Sequence, residues 1–251
     1  MQRIRLFCRS LTEGLFALSP EEAHHAASVL RRKPGHNVLL FDGEGREAAG
    51  AIERIESRGR SVQTWVRAGP IRVRPFDLGI KLTLAVAMPK PHRQGYLIEK
   101  CTELGVAAIW PVLTARSVSR PRAASVEKWK RRAVEAAKQA ARAWVPAIEP
   151  AISLSECLQR VAEFDAASIS CLGPRLRRFD EFLKGFGPGR SVLVLVGPEG
   201  GWTEDERNYA VDSGAVATVL SPTVLRTETA AVAVCAAVAG LCAGGGMSNG
   251  E

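Results

Sequence analysis

The sequence predicts an α/β domain with a parallel sheet and, before it, a small barrel-like domain rich in strands. From about residue 78 onward, apolar runs such as IKLTLAVAMP, AAIWPVLT and SVLVLVG alternate with helical segments. Strands alternating with helices are typical of parallel sheets, and continuous apolar runs are typical of strands buried on both faces. Residues 1–74, in contrast, have the texture of short strands with one helix.

The elements of the first 74 residues follow from turn and cap signals. The stretch NVLLFDGEGREAAGAIERI predicts two strands joined by an Asp-Gly turn, and SVQTWVRAG alternates like a further strand. The stretch SPEEAHHAASVLRR predicts the helix, because Ser19 can cap it and Pro20 suits its first position.

The helices of the second part follow its strands in order. Two further strands are indicated by AASISCL and ATVLS. The predicted helices are HRQGYLIEKCTELGV, SVEKWKRRAVEAAKQAARAW, LSECLQRVAEF, TEDERNYAVDSG and TETAAVAVCAAVAGLC. The last of these is almost entirely small and apolar, which favours a helix packed on more than one side and a position at a subunit interface.

Composition limits the class of protein. The chain has 251 residues, and it contains no apolar run long enough to span a membrane. Because the N-terminus lacks the features of a secretory signal, we expect a cytoplasmic protein. The six cysteines form no Cys-x-x-Cys pair and the four histidines show no ligand spacing. We therefore expect buried free thiols and no metal site.

Charge is unevenly distributed along the chain. The formal net charge is +8, and residues 1–74 carry a surplus of five positive charges while residues 116–142 carry a surplus of seven. The remainder of the chain is net negative. Two basic zones on such a background favour a polyanionic partner, and nucleic acid is the expected one.

The stretch SVLVLVGPEGGWTEDE predicts a buried strand, a tight glycine turn and the start of a helix. Open α/β sheets bind ligands at such a place, and glycines let a ligand approach the backbone closely. Thr203 and Glu206 form the pattern of a capping box, which explains the acidic cluster structurally. Glu199 lies inside the turn itself and would repel an anionic ligand, so a cationic or zwitterionic ligand is expected.

A second loop, in VLSPTVLRTETAAVAV, follows the next strand. Thr227 is the predicted N-cap, and Glu228 in the first helical turn suits the helix dipole. Arg226 lies between the apolar Leu225 and this cap, beside the expected ligand-binding edge. Lys90, His92 and Arg93 follow another buried strand, and we expect them at the same edge of the sheet.

These motifs resemble a known family. In sequence order, EEAHHAASVLRRKPGHNV, LIEKCTELGV, ARSVSR, LVGPEGGWTEDE and VLRTETAAVAV are similar to signatures of the RsmE-type small-subunit ribosomal RNA (uracil-N3)-methyltransferases of the SPOUT superfamily. The resemblance extends from about residue 3 to residue 240, and the ordered pair GPEGG and LRTETA is its most specific part.

The resemblance implies a PUA-like RNA-binding barrel over residues 1–74, a SPOUT methyltransferase domain with a C-terminal trefoil knot over residues 75–245, and a disordered tail over residues 246–251. It implies a homodimer with the last helix at the interface. It also implies S-adenosylmethionine (SAM) as the cofactor. The implied cofactor-binding residues are Leu195, Val196, Gly197, Pro198, Glu199, Gly200, Gly201, Leu220, Ser221, Val224, Leu225, Arg226 and Thr227.

The implied reaction is methylation of N3 of a uridine in 16S ribosomal RNA, within an assembled small subunit. Arg226 would stabilise negative charge on the uracil oxygens or orient the base, and Glu228 or Glu199 would accept the proton, directly or through water. RNA would be bound by Arg31, Arg32, Lys90, Arg93, Arg116, Arg120, Gln139 and Arg142.

Two departures from the family pattern and two alternatives stay open. Thr223 stands where the family has a basic residue, and KQAAR replaces an EQSGR-like segment, so one substrate contact is in doubt. A SPOUT ribose 2′-O-methyltransferase acting on tRNA or rRNA is disfavoured by the N-terminal barrel and LIEKCTELGV. A non-catalytic ribosome assembly factor is disfavoured by the presence of both cofactor loops.

Overall fold

The computed structural model of the chain describes residues 4–58 and 61–245. It divides into two compact units, one containing residues up to 77 together with 137–145, and the other containing 78–136 and the residues from 146 onward. The predicted disordered tail lies outside the described residues.

The first unit is built on a mixed sheet of six strands. Along the sheet the order is β1, β3, β4, β5, β2, with β6 paired to β4. β1 runs parallel to β3, and the other pairs are antiparallel. The strands are β1 (Ile4–Phe7), β2 (Gly14–Ala17), β3 (Asn37–Phe41), β4 (Arg46–Arg58), β5 (Ser61–Ala68) and β6 (Arg72–Val73).

One short helix closes one side of this unit. Helix α1 (Pro20–His24) is capped by the Ser19 side chain, which accepts a hydrogen bond from the Glu22 backbone, as predicted. The predicted helix continues as a π-helical turn over His25–Val29 and ends before the two arginines that follow. Apolar side chains from the sheet and α1 form the core, among them Leu6, Leu40, Ile52, Val66 and Ala23.

The second unit is a fully parallel sheet of eight strands, which confirms the predicted α/β class. The order is β10, β8, β7, β13, β11, β14, β12, with β9 paired to β8. The strands are β7 (Lys81–Val86), β8 (Ala108–Leu113), β9 (Ala147–Ile148), β10 (Ile152–Ser153), β11 (Ala166–Ser170), β12 (Arg177–Arg178), β13 (Ser191–Val196) and β14 (Ala215–Val219).

Helices connect these strands. They are α2 (Pro91–Glu103), α3 (Ala123–Gln139), α4 (Leu154–Gln159), α5 (Phe179–Leu183), α6 (Glu204–Asp212) and α7 (Thr227–Gly245), with a 3₁₀ turn at Val161–Glu163. The central strands β7 and β13 are buried over five consecutive residues each, which explains their uninterrupted apolar runs. No helix within the described ranges is apolar over a length that would cross a lipid bilayer. The trefoil knot stays a prediction.

Candidate active site

A cavity of about 570 Å³ opens at the carboxyl ends of the neighbouring strands β11, β13 and β14. Three segments form its walls: the end of β11, the glycine turn after β13 with the first turn of α6, and the loop between β14 and α7. The lining residues are Ser170, Cys171, Leu172, Val196, Gly197, Pro198, Glu199, Gly200, Gly201, Trp202, Thr203, Glu204, Arg207, Leu220, Ser221, Thr223, Val224, Leu225, Thr227 and Ala230. This is the strand edge at which open α/β sheets bind ligands.

The glycine turn is held by Trp202. A Cβ added to Gly197 would lie 2.9 Å from Cε2 of the Trp202 ring, so only glycine fits there. The indole nitrogen donates a hydrogen bond of 2.9 Å to the carbonyl of Ser170, which fixes the ring between two walls of the cavity. Gly201 has a φ of +69°, and its N–H donates to the Pro198 carbonyl at 2.8 Å, which closes the turn.

The predicted capping box of α6 is confirmed. The Thr203 hydroxyl accepts from the backbone of Glu206, and the Glu206 carboxylate accepts from the backbone of Thr203. Glu206 also accepts a hydrogen bond of 2.7 Å from the backbone of Ala115, a contact between segments 91 residues apart. The carboxylate thus connects the start of α6 to the loop after β8.

The second loop differs from the prediction at Thr227. Helix α7 begins at Thr227 itself, and its hydroxyl donates to the carbonyl of Gly197 at 3.0 Å instead of capping the helix. The Arg226 carbonyl accepts from the backbone of Ala230, so Arg226 occupies the position before the first helical residue. The Thr227 bond ties the glycine turn to the start of α7 and places both loops around one cavity.

The proposed catalytic residues differ in exposure. Glu199 is exposed and lines the cavity. Arg226 is exposed next to two lining residues, Leu225 and Thr227, and none of the described residues forms an ion pair or a hydrogen bond with its guanidinium. Glu228 is buried and does not line the cavity, because it lies on the side of α7 that faces α2.

Glu228 and Arg93 form an ion pair between α7 and α2. Arg93 donates to one carboxylate oxygen of Glu228, and the other oxygen is buried with no hydrogen-bond partner among the described residues. The Arg93 side chain is 26% exposed and the Glu228 side chain is 10% exposed. The sequence assigned these residues to RNA binding and proton transfer separately, and their contact was not foreseen.

Arg116 contacts the glycine turn. Its guanidinium donates to the carbonyl of Gly200 at 2.9 Å, and its aliphatic stem lies beside the same glycine. Arg116 itself is exposed. It therefore supports one wall of the cavity, a role that its place in a basic zone did not indicate.

The other predicted RNA-binding residues are distributed over both units. Arg31 and Gln139 are exposed in the first unit, where Arg32 is partly buried; Lys90 and Arg120 are exposed in the second. Arg142 is different, because it is buried and its Nε donates to Asp77 at 2.6 Å. This burial leaves Arg142 no open surface for a phosphate, so we assign it a structural role.

Most predicted cofactor residues line the cavity, with two exceptions. Leu195 is fully buried inside β13, and Arg226 is exposed but is not among the lining residues. One whole wall, formed by residues at the end of β11, was not predicted, because AASISCL contains no glycine and no charged residue. Trp202, inside the motif SVLVLVGPEGGWTEDE, and Arg207, the residue directly after it, were not predicted to line the site.

The cysteines are free thiols; five of them are buried, and Cys242 is partly buried. Burial raises the pKa of Cys8 to about 12, and it also raises the pKa of Cys171, a lining residue. Over residues 4–58 and 61–245, no cluster of three or more His, Cys, Asp or Glu side chains is arranged to hold a metal ion.

Comparison with known proteins agrees with this architecture. Residues 77–239 match the family model described as an RNA methyltransferase domain, and residues 18–61 match the RNA methyltransferase PUA domain. The ribosomal RNA small subunit methyltransferase E of Mycobacterium bovis is 34% identical over 232 residues, which cover 90% of this chain and 87% of that protein. The protein of the same name from Bacillus subtilis is 31% identical over 225 residues, 86% of either chain.

A solved structure gives the same result. The ribosomal RNA small subunit methyltransferase E of Neisseria gonorrhoeae, bound to SAM, superposes with a TM-score of 0.82 at 28% identity, over 96% of this chain and 98% of that one. Both the methyltransferase and the PUA family models match this chain, and relatives above 30% identity align along nearly its whole length. The chain therefore belongs to the RNA methyltransferase family of ribosomal RNA small subunit methyltransferase E.

Proposed function

We propose that this chain methylates ring nitrogen N3 of one uridine in small-subunit ribosomal RNA, with SAM as the methyl donor. The observation that carries the proposal is the cavity at the carboxyl ends of β11, β13 and β14, walled by the two loops that also carry the family motifs. The relatives named above are ribosomal RNA methyltransferases, and the solved relative was bound to SAM.

The cavity fits this cofactor in size and chemistry. Its volume of about 570 Å³ is in the range of small-molecule sites, roughly 300–1,000 Å³. The glycine turn exposes backbone to the cavity, as close approach of a ligand requires. Glu199 places a carboxylate on its wall, which suits a cationic sulfur. Residues Val196 to Gly201, with Leu220, Ser221, Val224, Leu225 and Thr227, would hold the cofactor.

The cofactor, when bound, supplies an electrophilic methyl group. Uracil N3 carries a proton at neutral pH and is a poor nucleophile until that proton is removed. Glu199 is the proposed proton acceptor, because its carboxylate is exposed on the wall of the cavity. A cationic group beside the uracil oxygens favours the deprotonated ring, and Arg226 is the proposed source of that charge.

Glu228 has a different role in this mechanism. Its carboxylate is buried and paired with Arg93, away from the cavity lining. A proton acceptor must reach the substrate within hydrogen-bond distance or through one water. We therefore propose that Glu228 positions the start of α7, and with it Thr227 and Arg226, through its contact with α2.

RNA binding is assigned to residues 1–74 as a PUA-like domain and methyl transfer to residues 75–245. The exposed cations suited to phosphate contacts are Arg31, Lys90, Arg116 and Arg120, and we add Arg32, Arg93 and Gln139 as flanking contacts. Because sequence-specific enzymes act on unstacked bases in RNA, the target uridine is expected in a splayed or single-stranded segment of an assembled small subunit. Such a substrate places the enzyme in the cytoplasm.

A homodimer is also part of the proposal. Helix α7 packs against α2 and the sheet on one side, while Thr229, Ala236 and Gly240 are exposed on it. Small residues allow a second helix to approach closely. Sedimentation of the purified wild-type protein is expected to give the mass of two chains. The Ala236→Arg variant is expected to sediment with the mass of a single chain. A wild-type protein that sediments as a monomer at micromolar concentration would contradict this part.

The reaction is tested by nucleoside mass spectrometry. Small subunits from a strain lacking the modification are incubated with the purified protein and SAM, and we expect N3-methyluridine in the small-subunit RNA. Single-turnover rates of Glu199→Gln and Arg226→Ala are expected to fall by about 10²-fold or more, the usual contribution of such groups. Glu163→Gln, an exposed carboxylate paired with Arg160, is the control. Appearance of a ribose 2′-O-methyl nucleoside instead would exclude the proposed reaction.

A further inference from the structure

Arg207 lies on the wall of the cavity contributed by α6. It stands four residues after the capping Thr203, whose carbonyl accepts from its backbone at 3.1 Å. The Arg207 side chain is 42% exposed, so the guanidinium is accessible to a ligand. Its nearest carboxylate is that of Glu204, 3.9 Å away and itself 80% exposed, which makes this a weak surface pair.

The charges of the cavity single out Arg207. The charged residues among the described lining residues are Glu199, Glu204 and Arg207, so Arg207 is the one cation in that set. Arg116 and Arg226 lie near the loops but do not line the cavity. Burial raises the pKa of the Cys171 thiol at the end of β11, and the Arg207 charge opposes that rise, in keeping with a guanidinium close to this wall.

We propose that Arg207 binds the α-carboxylate of the methionine part of SAM, with Glu204 beside it facing the α-ammonium group. This inference rests on the proposed function and deepens it. An α-amino acid carries a carboxylate and an ammonium group on one carbon, and an Arg–Glu pair 3.9 Å apart on one helix presents the complementary charges. Guanidinium groups bind carboxylates with two parallel hydrogen bonds, which a lysine cannot reproduce. Glu199, on the neighbouring turn, then remains available to the sulfonium and the uracil.

The test compares three ligands that differ in the amino acid head group. S-adenosylhomocysteine carries the whole group, S-adenosyl-3-thiopropylamine lacks the carboxylate, and 5′-methylthioadenosine lacks both charges. Binding is measured by calorimetry, with no RNA and no turnover. Arg207→Ala is expected to lower the affinity for S-adenosylhomocysteine about tenfold, in line with a charged hydrogen bond at a partly exposed site. The affinities for the other two ligands are expected to stay unchanged. Arg207→Lys is expected to recover part of the loss.

Arg178→Ala is the matched control, because Arg178 is exposed, is paired with Asp180 and lies outside the lining residues. It removes the same charge and is expected to leave all three affinities unchanged. If Arg207→Ala weakens all three ligands equally, the residue acts on the shape of the cavity and the carboxylate assignment is overturned. If it weakens none, the assignment is overturned while the proposed function stands. A wild-type protein that binds none of the three and no SAM overturns the proposed function itself.

Discussion

Arg93 donates to the buried carboxylate of Glu228, joining the first turn of α2 to the first turn of α7 across 135 residues of sequence. A pair of this kind places the loop that precedes α7, because Thr227 and Arg226 adjoin Glu228 in the chain. The second carboxylate oxygen of Glu228 has no partner among the described residues, so this group depends on Arg93 for its compensation.

Removal of Arg93 is expected to destabilise the fold. Arg93→Ala leaves the Glu228 carboxylate buried without its cation, and we expect a loss of about 2–3 kcal/mol in the free energy of unfolding, below the value for a fully buried pair because Arg93 is partly exposed. Urea denaturation measures it. Lys130→Ala on α3, which breaks an exposed pair with Glu127, is expected to cost less than about 1 kcal/mol. Equal losses for the two variants would show that the buried pair contributes no more to the free energy of unfolding than an exposed pair does.

Gly197→Ala is expected to distort the glycine turn. The new Cβ would lie 2.9 Å from the Trp202 ring, which is held by its bond to Ser170. Overpacking of this kind costs about 1–3 kcal/mol, and here it should also weaken SAM binding, because the turn walls the cavity. Calorimetry and thermal melting measure the two effects. Gly187→Ala is the control, since nothing lies within 4 Å of its added Cβ.

A double mutant isolates the cause of the Gly197 effect. In a Trp202→Phe background the ring is smaller and its bond to Ser170 is absent, so Gly197→Ala should cost less than it does in the wild type. If the two substitutions are simply additive, the contact between Gly197 and Trp202 is not what requires glycine.

Structural features that depend on residues close together in the chain were predicted from the sequence. The capping box of Thr203 and Glu206 spans three residues, and the parallel sheet follows from the strand and helix periodicities; both were predicted correctly. The glycine turn with Glu199 was predicted to be a ligand-binding loop, because open α/β sheets bind ligands at such turns, and in the structure this turn lines the cavity.

Contacts between distant segments could not be predicted in this way. The hydroxyl of Thr227 has the chemistry of a cap, and only the approach of the glycine turn, thirty residues earlier, gives it the Gly197 carbonyl as an alternative acceptor. Arg142 has the chemistry of a phosphate ligand, and only the fold of the first unit buries it beside Asp77. A residue type indicates the available partners, and the tertiary structure selects among them.

Asp165 gives a prediction for the dependence of stability on pH. The backbone N–H and hydroxyl of Ser191, followed by the Arg190 guanidinium, hold the pKa of Asp165 below its usual range. A carboxyl group whose pKa is lower in the folded state stabilises the fold above its unfolded pKa, about 3.9, and loses that contribution as the pH falls through the folded value.

Asp165→Asn should therefore reduce the free energy of unfolding at pH 7 by an amount that is constant down to about pH 5 and shrinks below about pH 4. Urea denaturation across this range measures the difference. Asp212→Asn, at the exposed end of α6, is the control for the loss of a carboxylate away from Ser191 and Arg190. A difference for Asp165→Asn that stays constant to pH 3 would be incompatible with the lowered pKa.

Arg116 and Arg120 separate the support of the cavity from the binding of RNA. Both are exposed cations in the same basic segment, but only Arg116 donates to the carbonyl of Gly200 in the glycine turn. Arg116→Ala should lower the affinity for both SAM and RNA. The affinity for SAM should fall by about fivefold, which corresponds to one hydrogen bond of about 1 kcal/mol. Arg120→Ala should lower the affinity for RNA alone, and it should reduce the salt dependence of that affinity by about one released counterion. Calorimetry with SAM and filter binding at several salt concentrations measure the two effects, and an unchanged SAM affinity in Arg116→Ala would show that the Gly200 contact does not shape the cavity.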